Sequence, residues 1–426
     1  MTSSAATVAL PVQARGETGR FLDGVAFLVP ALLAIDFVGA GRLYLSEVAL
    51  LLLLPALLFR HRDSGLAPIP ATFVVLCLVW LDGLVATDIF RSTPLHDLER
   101  GWSKVAFTLA NFIALYLIFE NKPRRFVLFG YGLAVGLFLT YLVNPGPYGA
   151  SEAWKFGYGY SLTLIAVLFA CTDVATQRRV LRCGVLAAVA IANLLHDFRS
   201  LAGVCVLTTF YVAAAGLTGR DRSRSPVRVS AGGVLGLVTL LAAVGLSFVS
   251  LYGHLAGSGA LGARAADKYS SQAGGAYSLL VNGRPEILVS SRAVADSPLL
   301  GHGSWAKDPK YLEMQVGAGQ HPSQATLETG PIPTHSYLMG AWVEAGILGA
   351  FVWAWALWLA ISVLMLLYRR DGKLVPLVAF AGFALIWNVF FSPYGSFERL
   401  IAPFYVLVLI LASRSLGTEK EPELLR

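Results

Sequence analysis

The apolar residues of this chain fall in blocks of about twenty, and that feature limits the possible fold more than any motif does. A helix rises about 1.5 Å per residue, so such a block matches the roughly 30 Å hydrocarbon core of a bilayer. In hydrocarbon the backbone must satisfy its own polar groups, which leaves helices or closed barrels. The blocks are continuous runs, not alternating ten-residue segments, so a barrel is excluded. Of the 426 residues, 56% are hydrophobic and 14% are charged. A soluble domain carries about a quarter charged residues. The sequence reads as an all-α polytopic membrane protein with about 12 transmembrane helices. The expected spans are 21–38, 43–59, 68–87, 103–119, 125–143, 158–174, 180–196, 199–217, 230–251, 335–367, 375–392 and 399–413.

Lysine and arginine placement orients these spans, because basic loops stay on the cytoplasmic side. With the N-terminus inside, every inner segment holds a basic cluster. The clusters are Arg15 and Arg20; Arg60 and Arg62; Lys122, Arg124 and Arg125; Arg178, Arg179 and Arg182; Arg220, Arg222, Arg224 and Arg228; Arg369, Arg370 and Lys373; and Arg414, Lys420 and Arg426. Both termini are then cytoplasmic. The net charge of +7 is mostly a topology signal, and no nucleic-acid motif accompanies it. The first twenty residues lack a signal-peptide pattern, so the first span is expected to direct insertion. Cys77, Cys171, Cys183 and Cys205 lie in or beside spans and read as buried thiols.

Most connections are short, but one is long. The chain divides into 1–251, with spans one to nine, a large outer loop at 252–334, and 335–426, with the last three spans and a tail. A loop of that length is expected to have its own structure and a function. Within it, RPEILVSSRAVADSP (284–298) reads as a short amphipathic helix and LLGHGSW (299–305) as a glycine-punctuated turn. Asp36, Glu47, Asp82, Glu344 and Asn388 all fall in the outer halves of their spans. That distribution predicts a polar cavity opening outward and not a path through the membrane.

Three outer positions carry candidate chemistry. Arg199 opens span eight in HDFRSLAG, Arg284 lies in VNGRPE, and His335 opens span ten in PTHSYLMG. Thr334 is the expected cap of that span. A helix N-terminus offers free N–H groups and partial positive charge, which favours an anion beside it and a neutral imidazole. A neutral histidine can act as a general base. Guanidinium groups bind phosphate oxygens in bidentate fashion and stay charged. Together these groups fit a diphosphate leaving group and a glycosyl transfer. Arg100, in DLERGWSK, is a weaker diphosphate candidate that would equally anchor span four with Trp102 and Lys104. Glu344 lies nine residues from His335, on the opposite face of a regular helix, and reads as a packing or partner-charge residue. His335 would equally serve as an interfacial anchor, and outer arginines as headgroup contacts. No HExxH, paired-cysteine or DxD motif stands in the outer segments, so no dedicated metal site is read.

The chain resembles the O-antigen ligase and polymerase superfamily of bacterial membrane glycosyltransferases. The resemblance rests on FRSLAG (198–203), GRPEILVSSRAVADSPLLGHGSW (283–305) and THSYLMGAWVEAGILGAF (334–351), in that order, around a large outer loop. It departs at Ser336, where members often have Asn, and at Phe198, where many have Ser. It implies a GT-C-like fold in the bacterial inner membrane with a site facing the periplasm. His335 would be the catalytic base, and Arg199 and Arg284 would hold an undecaprenyl-diphosphate-linked glycan. The implied reaction is inverting, needs neither metal nor cofactor, and delivers the glycan to a lipid A core or to a second lipid-linked glycan. Ligation is the favoured expectation over polymerisation. A lipid-glycan transporter without catalysis is the alternative of another class.

Overall fold

The computed structural model describes residues 12–39, 41–62, 68–218, 235, 239, 243, 246, 250–260, 262, 266–267, 269–270, 286–317, 330–368 and 370–417. The protein is almost entirely helical. The helices are α1 (Val12–Ala31), α2 (Leu45–His61), α3 (Ala71–Arg91), α4 (Leu95–Phe119) and α5 (Pro123–Val143). The short α6 (Gly146–Ser151) leads to α7 (Gly159–Phe169), α8 (Asp173–Gln177), α9 (Arg179–Leu195) and α10 (Arg199–Thr218). Then come α11 (Glu286–Asp296), α12 (Pro309–Gly317), α13 (Tyr337–Leu367), α14 (Val375–Phe391) and α15 (Glu398–Gly417).

Among the described residues, α3, α4, α5 and α13 are long and apolar enough to cross a membrane. The apolar stretches Arg199–Ala215 and Val375–Phe391 are shorter. This is an all-α, membrane-embedded protein. The span expected at 230–251 lies mostly outside the described residues, as does Arg284.

Several expected spans differ in detail, and α4 begins at Leu95, eight residues ahead of the expected 103. The first helix stops at Ala31, and a single 3-10 turn follows it. The chain then makes a two-stranded hairpin, β1 (Asp36–Val38) paired antiparallel with β2 (Arg42–Tyr44). Asp36 closes the hairpin through an ion pair with Arg42 at 3.0 Å. Around the sixth expected span, α7 is only eleven residues long and follows a π-helical turn at Trp154–Tyr158. The stretch at 180–217 resolves into two packed helices. Asp197 adopts a left-handed φ of 55° between them, and Phe198 N–H bonds back to the Asn193 carbonyl at 2.8 Å.

Small residues and aromatic rings hold the bundle together. Without a hydrophobic drive between helices in lipid, close backbone approach becomes the main source of packing energy. Gly132 and Gly136, one turn apart on α5, face α1. A Cβ there would lie 2.0 Å from the Phe27 carbonyl oxygen and 2.2 Å from that of Pro30. Elsewhere Phe119 packs on Phe126 at 4.2 Å and Phe129 on Phe404 at 4.7 Å. Basic residues at the helix ends away from residues 299–305 are more than topology signals. Arg125 is buried and donates to Asp23 at 2.9 Å, to Glu120 at 2.7 Å and to the Ile118 carbonyl at 2.8 Å. Arg182 likewise donates to Asp371 at 2.8 Å and to the Ala170 carbonyl at 3.0 Å.

Candidate functional site

The site region is organised by a break in α13. Gly346 has φ +62° and ψ −159°, a conformation essentially restricted to glycine. The break frees two carbonyls of the preceding turn, and the LLGHGSW turn fills them. His302 N–H donates to the Val343 carbonyl at 2.7 Å, and Gly303 N–H to that of Glu344 at 3.0 Å. The approach is as close as backbone allows: a Cβ on Gly346 would lie 2.0 Å from the Leu299 carbonyl oxygen. Gly301 and Gly303 have φ of 80° and 93°, which the turn requires.

Two residues from α3 clamp this turn. The Asp88 carboxylate accepts from Ser304 N–H at 2.7 Å, from the Ser304 hydroxyl at 2.6 Å, from Trp102 at 2.8 Å and from Thr93 at 2.8 Å. Arg91 donates to the Gly301 carbonyl at 2.9 Å. Gly101 lets α4 pass, since a Cβ there would lie 1.9 Å from the Ser304 hydroxyl oxygen. The turn is thus held as firmly as a secondary-structure element.

His335 stands just ahead of α13, and the cap of that helix is Ser336, not Thr334. The Ser336 hydroxyl accepts from Met339 N–H at 3.0 Å and donates to the Val389 carbonyl at 2.6 Å. The helix begins two residues later than expected because Ser336 has extended backbone and makes the capping bond itself. The His335 ring is 39% exposed, and its Nδ1 lies 3.7 Å from Glu286 Oε1. Glu286 opens α11, which packs against α13, and its side chain is only 11% exposed. Its second carboxylate oxygen is buried without a hydrogen-bond partner among the described residues. The helix N-terminus and this carboxylate act on the charge of the ring in opposite senses.

The arginines have their own surroundings. Arg199 pairs with Asp197 at 2.8 Å and lies over the Tyr252 ring at 4.3 Å from its centroid. Arg100 lies over the Trp305 ring at 5.5 Å, which ties it to the clamped turn. One turn along α4, Lys104 pairs with Glu344 and lies over the rings of Trp80 and Trp305. Glu344 therefore has the partner charge that its place in an apolar helix demands.

Several polar groups expected to line an open cavity are instead paired inside the protein. Glu47 is buried against Arg399, with contacts of 2.8 and 2.6 Å, and also accepts from Tyr44 N–H at 3.1 Å. Asn388 accepts from Ser392 at 2.8 Å. Asp82 alone of the five is exposed. The segment before and at the start of α15 supplies residues that the sequence left unmarked. Tyr337 donates to Glu398, Tyr394 shares a hydrogen bond with Thr108 at 2.6 Å, and Tyr44 bonds Ser396. The only signal for them was a dense polar run, SPYGSFER (392–399), between two apolar blocks.

The fold and this arrangement define a membrane-embedded helical protein with a rigid, charge-rich end built around the start of α13. No protein-family model matches the chain, and no curated protein matches it either.

Proposed function

We propose that the protein is an inverting glycosyltransferase that moves a glycan from an undecaprenyl-diphosphate carrier to an acceptor sugar. Ligation to a lipid A core is the favoured reaction, and extension of a lipid-linked repeat is the alternative. The proposal includes the finer architecture expected from the sequence: twelve spans in a GT-C-like fold, both termini cytoplasmic, and the site facing the periplasm of a bacterial inner membrane.

The observation that carries the reading is the placement of His335 beside a buried carboxylate at the head of α13. A carboxylate facing Nδ1 favours the tautomer with its proton there, which leaves the Nε2 lone pair to accept one. The 3.7 Å separation is longer than a hydrogen bond, and such contacts tighten when substrate binds. In the proposed reaction His335 takes the proton of an acceptor hydroxyl. The hydroxyl oxygen attacks the anomeric carbon, and the bond from that carbon to the diphosphate oxygen breaks. The electron pair leaves with the diphosphate, and the anomeric centre inverts. Arg199 and Arg284 hold the diphosphate and stabilise its growing charge. Arg284 precedes Glu286 by two positions in the sequence, and Arg100 is the reserve cation beside Trp305.

The test is product analysis with purified protein, a polyprenyl-diphosphate glycan and two acceptors offered separately. Glycan on the lipid A core identifies a ligase, and a lengthened lipid-linked chain identifies a polymerase. Unchanged donor with both acceptors, in protein that unfolds cooperatively, refutes the glycosyltransferase reading and favours a transporter.

A further inference from the structure

Asp82 lies near the middle of α3 and is exposed. No described residue gives it a hydrogen bond or an ion pair. It stands within an apolar stripe on one helical face. Val75, Leu78 and Ile89 on that face are 53%, 45% and 70% exposed, and Ala86 is exposed as well. The opposite face, with Cys77, Trp80, Gly83 and Leu84, is buried in the bundle. Apolar residues exposed on both sides of Asp82 along the helix place its carboxylate within the hydrocarbon layer, where lipid has nothing to offer it.

Three carboxylates that lie inside the protein are answered. Glu47 has Arg399, Glu344 has Lys104, and Asp88 has Ser304 and Trp102. Asp82, near the middle of α3, has no such answer, and it stands on the face of α3 that no other described helix covers. We propose that the stripe centred on Asp82 docks a transmembrane helix of another polypeptide, one that carries a lysine or arginine at the same depth. Charge selects this occupant. A second copy of the chain docked by the same face would bring another carboxylate against the first. The cations Lys104 and Arg399 cannot be lent to such a copy, because both are buried and already paired. Ala86, one turn from Asp82, leaves room for the partner's backbone to come close. The inference does not depend on the catalytic reading.

The test uses the full chain in lipid vesicles and a synthetic transmembrane peptide of about twenty leucines and alanines with one central lysine. Energy transfer between labelled protein and labelled peptide reports association. The same peptide with a central leucine is the reference. The lysine peptide is expected to bind roughly three- to thirty-fold more tightly, the range of polar contacts between membrane helices. Asp82→Leu should remove that preference. Leu78→Trp, which leaves the carboxylate in place, should block the stripe and weaken binding. Thermal unfolding of each variant checks that the bundle is intact. Equal binding of the two peptides, or a lysine preference that survives Asp82→Leu, overturns the proposal. Asp82-dependent transfer between copies of the protein alone overturns it in favour of self-association.

Discussion

In the proposed reaction His335 acts as a base, which needs something that fixes which ring nitrogen holds the proton, and the group facing Nδ1 is Glu286 at 3.7 Å. Glu286→Gln should lower the transfer rate by roughly ten- to a hundred-fold, the usual loss when a group supporting a reactive residue is removed. The Michaelis constant should change little, because Glu286 does not touch the donor in the proposed reaction. A pure KM effect would place Glu286 in substrate binding instead. The pair Glu47–Arg399 tests the buried electrostatics separately. Arg399→Ala leaves a buried carboxylate unanswered and should cost about 3–5 kcal/mol. Removing both charges with Glu47→Gln and Arg399→Met should cost less than the single change. Thermal unfolding in detergent measures both. At this scale the sequence was informative about types and silent about partners. Glu47 and Glu344 were visible as charges in apolar blocks, but their partners lie 352 and 240 residues away along the chain. No local pattern encodes pairing at such separations.

At the scale of elements, the break in α13 and the turn that fills it form one unit. Gly346→Ala forces a side chain into a glycine-only conformation and against the Leu299 carbonyl oxygen. The strain alone should cost about 1–3 kcal/mol, and amide exchange should rise across residues 299–304 before the rest of the protein opens. Exchange that rises equally everywhere would show that the turn is not separately held. In the sequence this region read as an unbroken apolar helix, because one glycine among alanines and leucines leaves the hydropathy unchanged. The glycine pattern of the turn was legible, and its docking surface was not. A second tie joins α11 to α12. Lys310 at 2.6 Å and Tyr311 at 2.8 Å donate to Asp296, and the lysine bond first, then the tyrosine, hold its carboxyl down at about 2. An unfolded aspartate titrates near 3.9, so this tie is complete above about pH 4 and is lost as the pH falls through about 2. Amide exchange in α11 and α12 should rise over that window. Asp296→Asn should remove the pH dependence, with exchange already raised at pH 4.

At the scale of the whole molecule, the helical class was readable from block length alone, because hydrocarbon thickness sets it. Element ends were less legible. The hairpin at residues 36–44 has strands of three residues, too short to show alternation. The basic clusters read as topology signals also proved structural: Arg125 and Arg182 are buried clamps. The proposed orientation has a direct check in a cysteine-free background. In spheroplasts, a membrane-impermeant thiol reagent should label Lys310→Cys and leave Arg62→Cys unmodified until the membrane is permeabilised. Labelling in the reverse order would turn the molecule over and remove the site from the periplasm.

In the proposed reaction His335 drives departure of a lipid diphosphate. The most direct measurement is release of free undecaprenyl diphosphate from a radiolabelled donor, with acceptor present, by wild type beside His335→Ala. Both ligase and polymerase liberate this product, so the result does not depend on the acceptor. Acceptor-dependent release is expected from the wild type, with a loss of about a hundred-fold or more in the variant and an unchanged unfolding temperature. Equal release by a folded His335→Ala protein would remove His335 from the reaction.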